Sequence, residues 1–250
     1  ITLLGAPFLL PVIVAIIGLL AVFGRSGVLN DVLAMIGVSP ISIYGFHGVV
    51  LAHVFFNLPL ATRLLLQGWL SIPSERFRLA ATLDVSVARL IEWPMLRQTV
   101  PGALLVVFLI CLSSFAVALT LGGGPKATTV ELAIYQALRF DFDLGRAALL
   151  GCIQFLICAA AALVAWKVTL PDQFGKGLDR AVQRWDRPSP WDFFWLISVT
   201  AFLLVPLGLI VWRGIPEFFG LPPQIWPAAL RSVIVALIAA ALTVIMAISL

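Results

Sequence analysis

Three stretches of the chain, Val100–Leu121, Ala147–Trp166 and Phe193–Trp212, run without one Asp, Glu, Lys or Arg. A helix needs about 20 mostly apolar residues to cross the hydrocarbon core of a bilayer, and each stretch has that length. Lipid offers no partners to backbone N–H and C=O groups, so such a segment must pair them internally, as a helix. Three further candidates follow the same pattern: about Leu3 to Phe23, about His47 to Leu66, and about Ile225 to Leu250. The fold expected is therefore all-α, a polytopic membrane helix bundle of about six transmembrane helices. Pro7 and Pro11 in the first span and Pro206 in the fifth would kink a soluble helix. Membrane helices tolerate them because neighbours re-satisfy the freed carbonyls.

Composition agrees. Hydrophobic residues make up 62% and charged residues 11%, with a mean hydropathy of +1.09. A water-soluble domain is about a quarter charged, and this chain in water would expose large apolar patches. The start at Ile1 and the stop at Leu250, both in apolar sequence, read as an internal piece of a longer polypeptide. Cys111, Cys152 and Cys158 fall in apolar runs without metal-type spacing and read as small buried hydrophobes. The net charge of +4 is set by where the cations sit, and implies no nucleic-acid partner.

Orientation follows from those cations. Arg76, Arg78, Arg89 and Arg97 lie between the second and third spans, and Lys167, Lys176, Arg180, Arg184 and Arg187 between the fourth and fifth. The alternate loops carry fewer, so the richer loops are expected in the cytoplasm. Trp166, Trp185, Trp191, Trp195, Trp212 and Trp226 cluster near span ends, as an interfacial aromatic belt does.

Two loops are longer than a turn requires. In Gln67–Thr99, Ser74 suits an N-cap and Glu75 the positive end of a short helix. Phe77, Ala80, Ala81 and Leu83 would give that helix its apolar face, with Arg76 and Arg78 beside it. Asp84 or Ser86 would cap a second short helix through Leu90, which Pro94 interrupts before the third span. The segment Gly122–Gly145 opens on Gly122-Gly123-Gly124-Pro125, and a helical stretch from Thr129 to Leu138 follows. The polar, proline-bounded segment Pro171–Pro190 reads as a linker between two bundles. The expected organisation is 1–166 as one transmembrane half, 167–191 as a cytoplasmic linker, and 192–250 as the start of a second half.

Catalytic chemistry is not legible. No GxxxxGK[ST] loop is present, and the glycine run is not followed by Lys-Ser or Lys-Thr. No nucleophile–base pair or metal-ligand cluster appears, and no cofactor is implied. His53 and Asn57 are polar residues inside the second span, where function and inter-helix hydrogen bonding are both ordinary roles. His47 is not on the same helical face as His53. No span carries Asp or Glu in its interior. Proton- and sodium-coupled carriers commonly need an ionisable group there, so a pathway driven by another subunit's energy is favoured over an ion-coupled carrier.

The loop after the second span resembles a signature of the ATP-binding-cassette importer permeases: Glu-Ala-Ala, three residues, Gly, nine residues, Ile-x-Leu-Pro. Arg78-Leu79-Ala80-Ala81-Thr82-Leu83-Asp84 and Ile91-Glu92-Trp93-Pro94 stand in that place. Arg78 replaces Glu, Asp84 replaces Gly, and the Asp84–Pro94 interval is three residues short, close to one helical turn. Ile91-Glu92-Trp93-Pro94 and Arg63-Leu64-Leu65-Leu66-Gln67 also resemble the thiamine importer permeases, as do two longer stretches. They are Leu51-Ala52-His53-Val54-Phe55-Phe56-Asn57-Leu58-Pro59 and the run Leu121-Gly122-Gly123-Gly124-Pro125-Lys126-Ala127-Thr128-Thr129-Val130-Glu131-Leu132-Ala133-Ile134-Tyr135-Gln136-Ala137-Leu138. Ferric-iron importer permeases are similar in layout.

The resemblance, dense over about 11–154, implies a type I importer permease of the inner membrane with two related halves in one polypeptide. It implies a cytoplasmic ATP-binding subunit, acting as a dimer, docked on Ser74, Glu75, Phe77, Leu79, Ala80, Ala81, Leu83, Asp84 and Pro94. It also implies a periplasmic thiamine-binding protein on the outer face, where Gly122, Gly123, Gly124, Glu131, Asp141 and Asp143 are the candidate contacts. The implied cargo is thiamine and its phosphates, moved by alternating access, with no ATPase motif in this chain.

Overall fold

In a computed structural model the described residues are 11–83, 85–122, 124, 127–167 and 189–249. They are helical, without a β-strand among them. Six helical segments are long and apolar enough to cross a membrane: Val12–Met35, Phe46–Leu70, Ala88–Leu112, Leu144–Val164, Pro190–Gly214 and Ile225–Ile248. The described residues are all-α with six membrane-length helices, as expected.

The chain divides into two compact units, Ile1–Gly208 and Leu209–Leu250. In the first unit, α1 (Val12–Phe23) begins at Pro11, which is the N-cap and not a kink. A tight turn leads to α2 (Val28–Met35). Buried Asn30 holds the next strap in place. Its amide nitrogen donates to the carbonyls of Gly24 (2.8 Å) and Ile41 (2.9 Å), and its oxygen accepts from the Ile41 N–H (2.8 Å). The long helix α3 (Phe46–Leu70) then absorbs Pro59 in its interior.

After the short α4 (Ser74–Thr82), the third span departs from its expected bounds. A wide turn with π-type pairing, Ala88–Glu92, runs directly into α5 (Trp93–Leu112). Pro94 therefore does not interrupt the helix. Proline lacks an N–H and its ring crowds the carbonyl four residues back. The Trp93 N–H instead reaches the Ala88 carbonyl, five residues back, which opens the turn. The helix also stops earlier than expected, at Ser113-Ser114, and a separate α6 (Phe115–Leu121) follows.

The core of this unit is built where α1, α3 and α6 meet. Ile16, Leu19, Phe55, Val117 and Leu121 are fully buried, and Ile43 and Leu203 join them. Phe202 stacks edge-on against Phe55 at 5.6 Å. At one end of the bundle the Gly45 N–H donates to the Leu121 carbonyl at 2.8 Å, so the strap before α3 and the end of α6 share a side. α7 (Val130–Arg139) is capped by Thr129, whose hydroxyl accepts from the Leu132 N–H, and packs on α8 (Leu144–Lys167). Helix α9 (Pro190–Gly214) keeps Pro206 buried in its interior.

The second unit holds the end of α9, a 3-10 turn at Pro216–Gly220 and α10 (Ile225–Ile248). No residue of α10 is buried within the chain. Such an apolar surface suits lipid or another helix, not water.

Candidate functional site

Two regions and one groove hold the residues singled out in the sequence. The first region is α4 and its surroundings. The N-cap is Pro73, so Ser74 is the first helical residue rather than the cap. Glu75 lies in the first turn, where the helix dipole favours a carboxylate. Asp84 lies outside the described residues, as do the side chains of Ser74 and Ala81.

Helix α4 has a buried face and an exposed one. Phe77 (2% exposed) and Ala80 (5%) pack with Ile72 and Ile91 in a small core of their own. Trp69, at the end of α3, joins it edge-on to Phe77 at 5.6 Å. The Trp69 indole N–H donates to Glu92 Oε1 at 3.2 Å, which ties the end of α3 to the π turn. Leu79 (60% exposed) and Leu83 (63%) stand on the opposite side, flanked by exposed Glu75, Arg76 and Arg78. Helix α4 is thus fastened to both spans by Phe77 and offers Leu79 and Leu83 outward. Pro94 is exposed at the start of α5.

Above this cluster α3 and α5 cross closely at Gly68. A Cβ there would stand 2.7 Å from Thr99 Oγ1 and 3.2 Å from Met95 Sδ. Glycine leaves room for the Thr99 and Met95 side chains to pack directly on the α3 backbone.

The second region lies toward the Gly45–Leu121 end. Gly122 is buried, and Gly124 adopts φ +90°, a conformation ordinary for glycine and strained for other residues. Gly123 falls outside the described residues. Glu131 sits in the first turn of α7. Asp141 pairs with Arg146 at 3.5 Å on the surface, a contact worth little by itself. Asp143 Oδ1 accepts from the Arg146 N–H at 2.9 Å and so caps α8. Both aspartates therefore have local duties whatever else they touch.

The groove runs along α3 and α5. His53 and Asn57 open on it one turn apart, with Cys111 across from them. Cys111 was legible only as packing, because no local pattern links it to a residue 54 positions earlier. Gln154 is a second residue the sequence did not single out. It reaches from α8 to the Leu112 carbonyl at 3.1 Å, where α5 ends. His47 lies apart, bonded to the Ser42 carbonyl at the start of α3.

No family model matches the chain, and no solved structure matches it. Characterised relatives do. The thiamine transport system permease protein of Salmonella typhimurium is 41% identical over 252 residues, covering 95% of this chain and 46% of that one. Its counterpart in Escherichia coli is 39% identical over the same shares. That of Haemophilus influenzae is 42% identical over 177 residues, 69% of this chain and 33% of the relative. The chain thus spans about half the length, or less, of the relatives it matches. Six membrane-length helices, joined to this similarity along nearly all of its length, make the chain a relative of the thiamine transport system permease proteins and a multi-pass protein of the inner membrane.

Proposed function

We propose that the chain is part of the permease of an ATP-driven importer that carries thiamine and its phosphates by alternating access. The observation that supports this reading most is the 41% identity, over 95% of the chain, to a protein named for thiamine transport. The ATP-binding subunit docks on the outward face of α4, through Leu79, Leu83, Glu75 and Arg76. Closure of that subunit's dimer pushes α4. Phe77, Trp69 and Glu92 pass the displacement to α3 and α5 together, because Phe77 and Trp69 share one packed cluster and the Trp69 indole bonds to Glu92. The periplasmic binding protein meets the segment Gly122–Asp143. The polypeptide divides at about 167–191 into two related halves.

The test is reconstitution of the full-length permease with its ATP-binding subunit and binding protein. ATP hydrolysis stimulated only when binding protein and thiamine pyrophosphate are both present is the expected result. Stimulation by ferric iron in their place keeps the importer and changes the cargo. Failure of any ATP-binding subunit to associate overturns the importer reading and restores the ion-coupled carrier.

A further inference from the structure

The groove on α3 and α5 has a volume of about 420 Å³, inside the range of about 300–1,000 Å³ common for small-molecule sites. Its walls are mostly apolar, with Val50, Val54 and Val107 among them, and no charged side chain lines it. It lies deep along the span: Asn57 is next to the midpoint of Phe46–Leu70. Polar groups at that depth are costly and tend to mark pathways.

The polar groups here are set for a ligand more than for each other. Asn57 is 5% exposed. Its amide nitrogen donates to the His53 carbonyl at 2.8 Å and to the Cys111 sulfur at 3.4 Å. That fixes the amide and leaves Oδ1 without a donor among the described residues. The half-buried His53 ring likewise has no hydrogen-bond partner among them. A neutral imidazole carries one N–H and one lone pair. The groove therefore presents two acceptors and one donor between apolar walls, with no cation to receive a phosphate.

We propose that this groove is a station on the transport path that binds the ring end of the cargo, a nitrogen heteroaromatic bearing an exocyclic amine. The amine donates to Asn57 Oδ1. The imidazole of His53 pairs with a ring nitrogen, and the valines cover the faces of the ring. Phosphates trail outside it, so thiamine and thiamine pyrophosphate use the groove alike. This rests on the transport reading above.

The experiment uses the full-length permease with its ATP-binding subunit and binding protein in proteoliposomes, with uptake of thiamine and of thiamine pyrophosphate measured against concentration. His53→Leu and Asn57→Leu should each raise the half-saturating concentration about tenfold for both cargoes, the size of one lost hydrogen bond to a buried polar group. His53→Gln, which keeps a donor and an acceptor, should recover most of that. In a Cys152→Ser, Cys158→Ser background, saturating thiamine during turnover should slow maleimide labelling of Cys111. Unchanged half-saturation in both leucine variants overturns the groove alone. So does a rise confined to the pyrophosphate, or a Cys111 that labels equally, or not at all, with and without thiamine, since a neighbouring helix then covers it. A wild-type complex that moves neither cargo overturns the transport reading and the groove with it. Melting temperatures of the variant complexes within a few degrees of wild type tie the uptake change to the groove and not to misfolding.

Discussion

Single residues decide where these helices sit. Asn30 satisfies two carbonyls and one N–H in a strap that has no helix or sheet to supply partners. Asn30→Leu removes all three bonds, at about 0.5–1.5 kcal/mol each; the Gly24 carbonyl keeps the Gly27 N–H, while the two Ile41 groups lose their Asn30 partner. Asn30→Asp keeps the acceptor for Ile41 and turns a carboxylate toward two carbonyls. Both variants should lower the thermal midpoint of the detergent-solubilised protein clearly, and an unchanged midpoint would show that Asn30 holds nothing. Gly68 makes the opposite case, a residue valued for what it lacks. Gly68→Leu should destabilise by about 1–3 kcal/mol through overpacking against Thr99 and Met95, and Gly68→Ala by less, again read as a thermal midpoint. Neither residue stands out in the sequence, because each acts on a partner far along the chain. Asn57 does stand out, as an amide in an apolar run. Its sulfur partner does not, since nothing local predicts that Cys111 lies across from it.

At the scale of elements, α4 shows how much a short pattern leaves open. Its nine residues and the C-cap Leu83 carry two apolar stripes, Phe77 with Ala80 and Leu79 with Leu83. The 3.6-residue period makes each a plausible inner face, and only the position of Trp69 and Ile91 chooses between them. Phe77→Asp puts a carboxylate into a packed core and should lower the thermal midpoint itself. Leu79→Asp with Leu83→Asp should leave the midpoint in place and abolish ATP hydrolysis stimulated by the binding protein. A double variant with normal stimulation would move the docking surface elsewhere. The long spans were legible because length and absence of charge suffice to define them. The third was misplaced at both ends for physical reasons: Pro94 reads as a stop but is accommodated by a wider turn, and Ser113-Ser114 reads as part of an apolar run but ends the helix. The Ser113 hydroxyl bonds back to the Leu109 carbonyl at 3.0 Å, and Gln154 serves that of Leu112, so the chain can break there without orphaning both acceptors.

For the whole molecule, the distribution of Lys and Arg sets a sidedness that labelling can check. The Gly45–Leu121 contact puts the strap before α3 and the segment after α5 at one end of the bundle, and the α4 cluster lies beyond the other ends of α3 and α5. With the native cysteines replaced by serine, Arg76→Cys should react with an impermeant maleimide only from the cytoplasmic side and Thr128→Cys only from the periplasmic side. Reaction of both from one side would overturn the six-span topology. Transmembrane architecture was thus readable from burial chemistry alone. The pairing of spans was not, because inside lipid the surface of one apolar helix resembles that of another, and close packing is chosen by details such as Gly68.

The wide turn at Ala88–Glu92 has a consequence for how this chain tolerates change in length. Five-residue pairing means that the helix holds one residue more at that point than an α-helix of the same rise would. Removing a residue elsewhere in Trp93–Leu112 rotates everything on one side of the deletion by about 100° relative to the other, and turns packed faces such as Thr99 and Ala103 toward lipid. Removing one residue within the wide turn instead lets the ladder close as ordinary α-helix with the faces on both sides still in register. The span therefore contains a single slot at which a one-residue deletion costs little, and that slot lies between α4 and the body of α5.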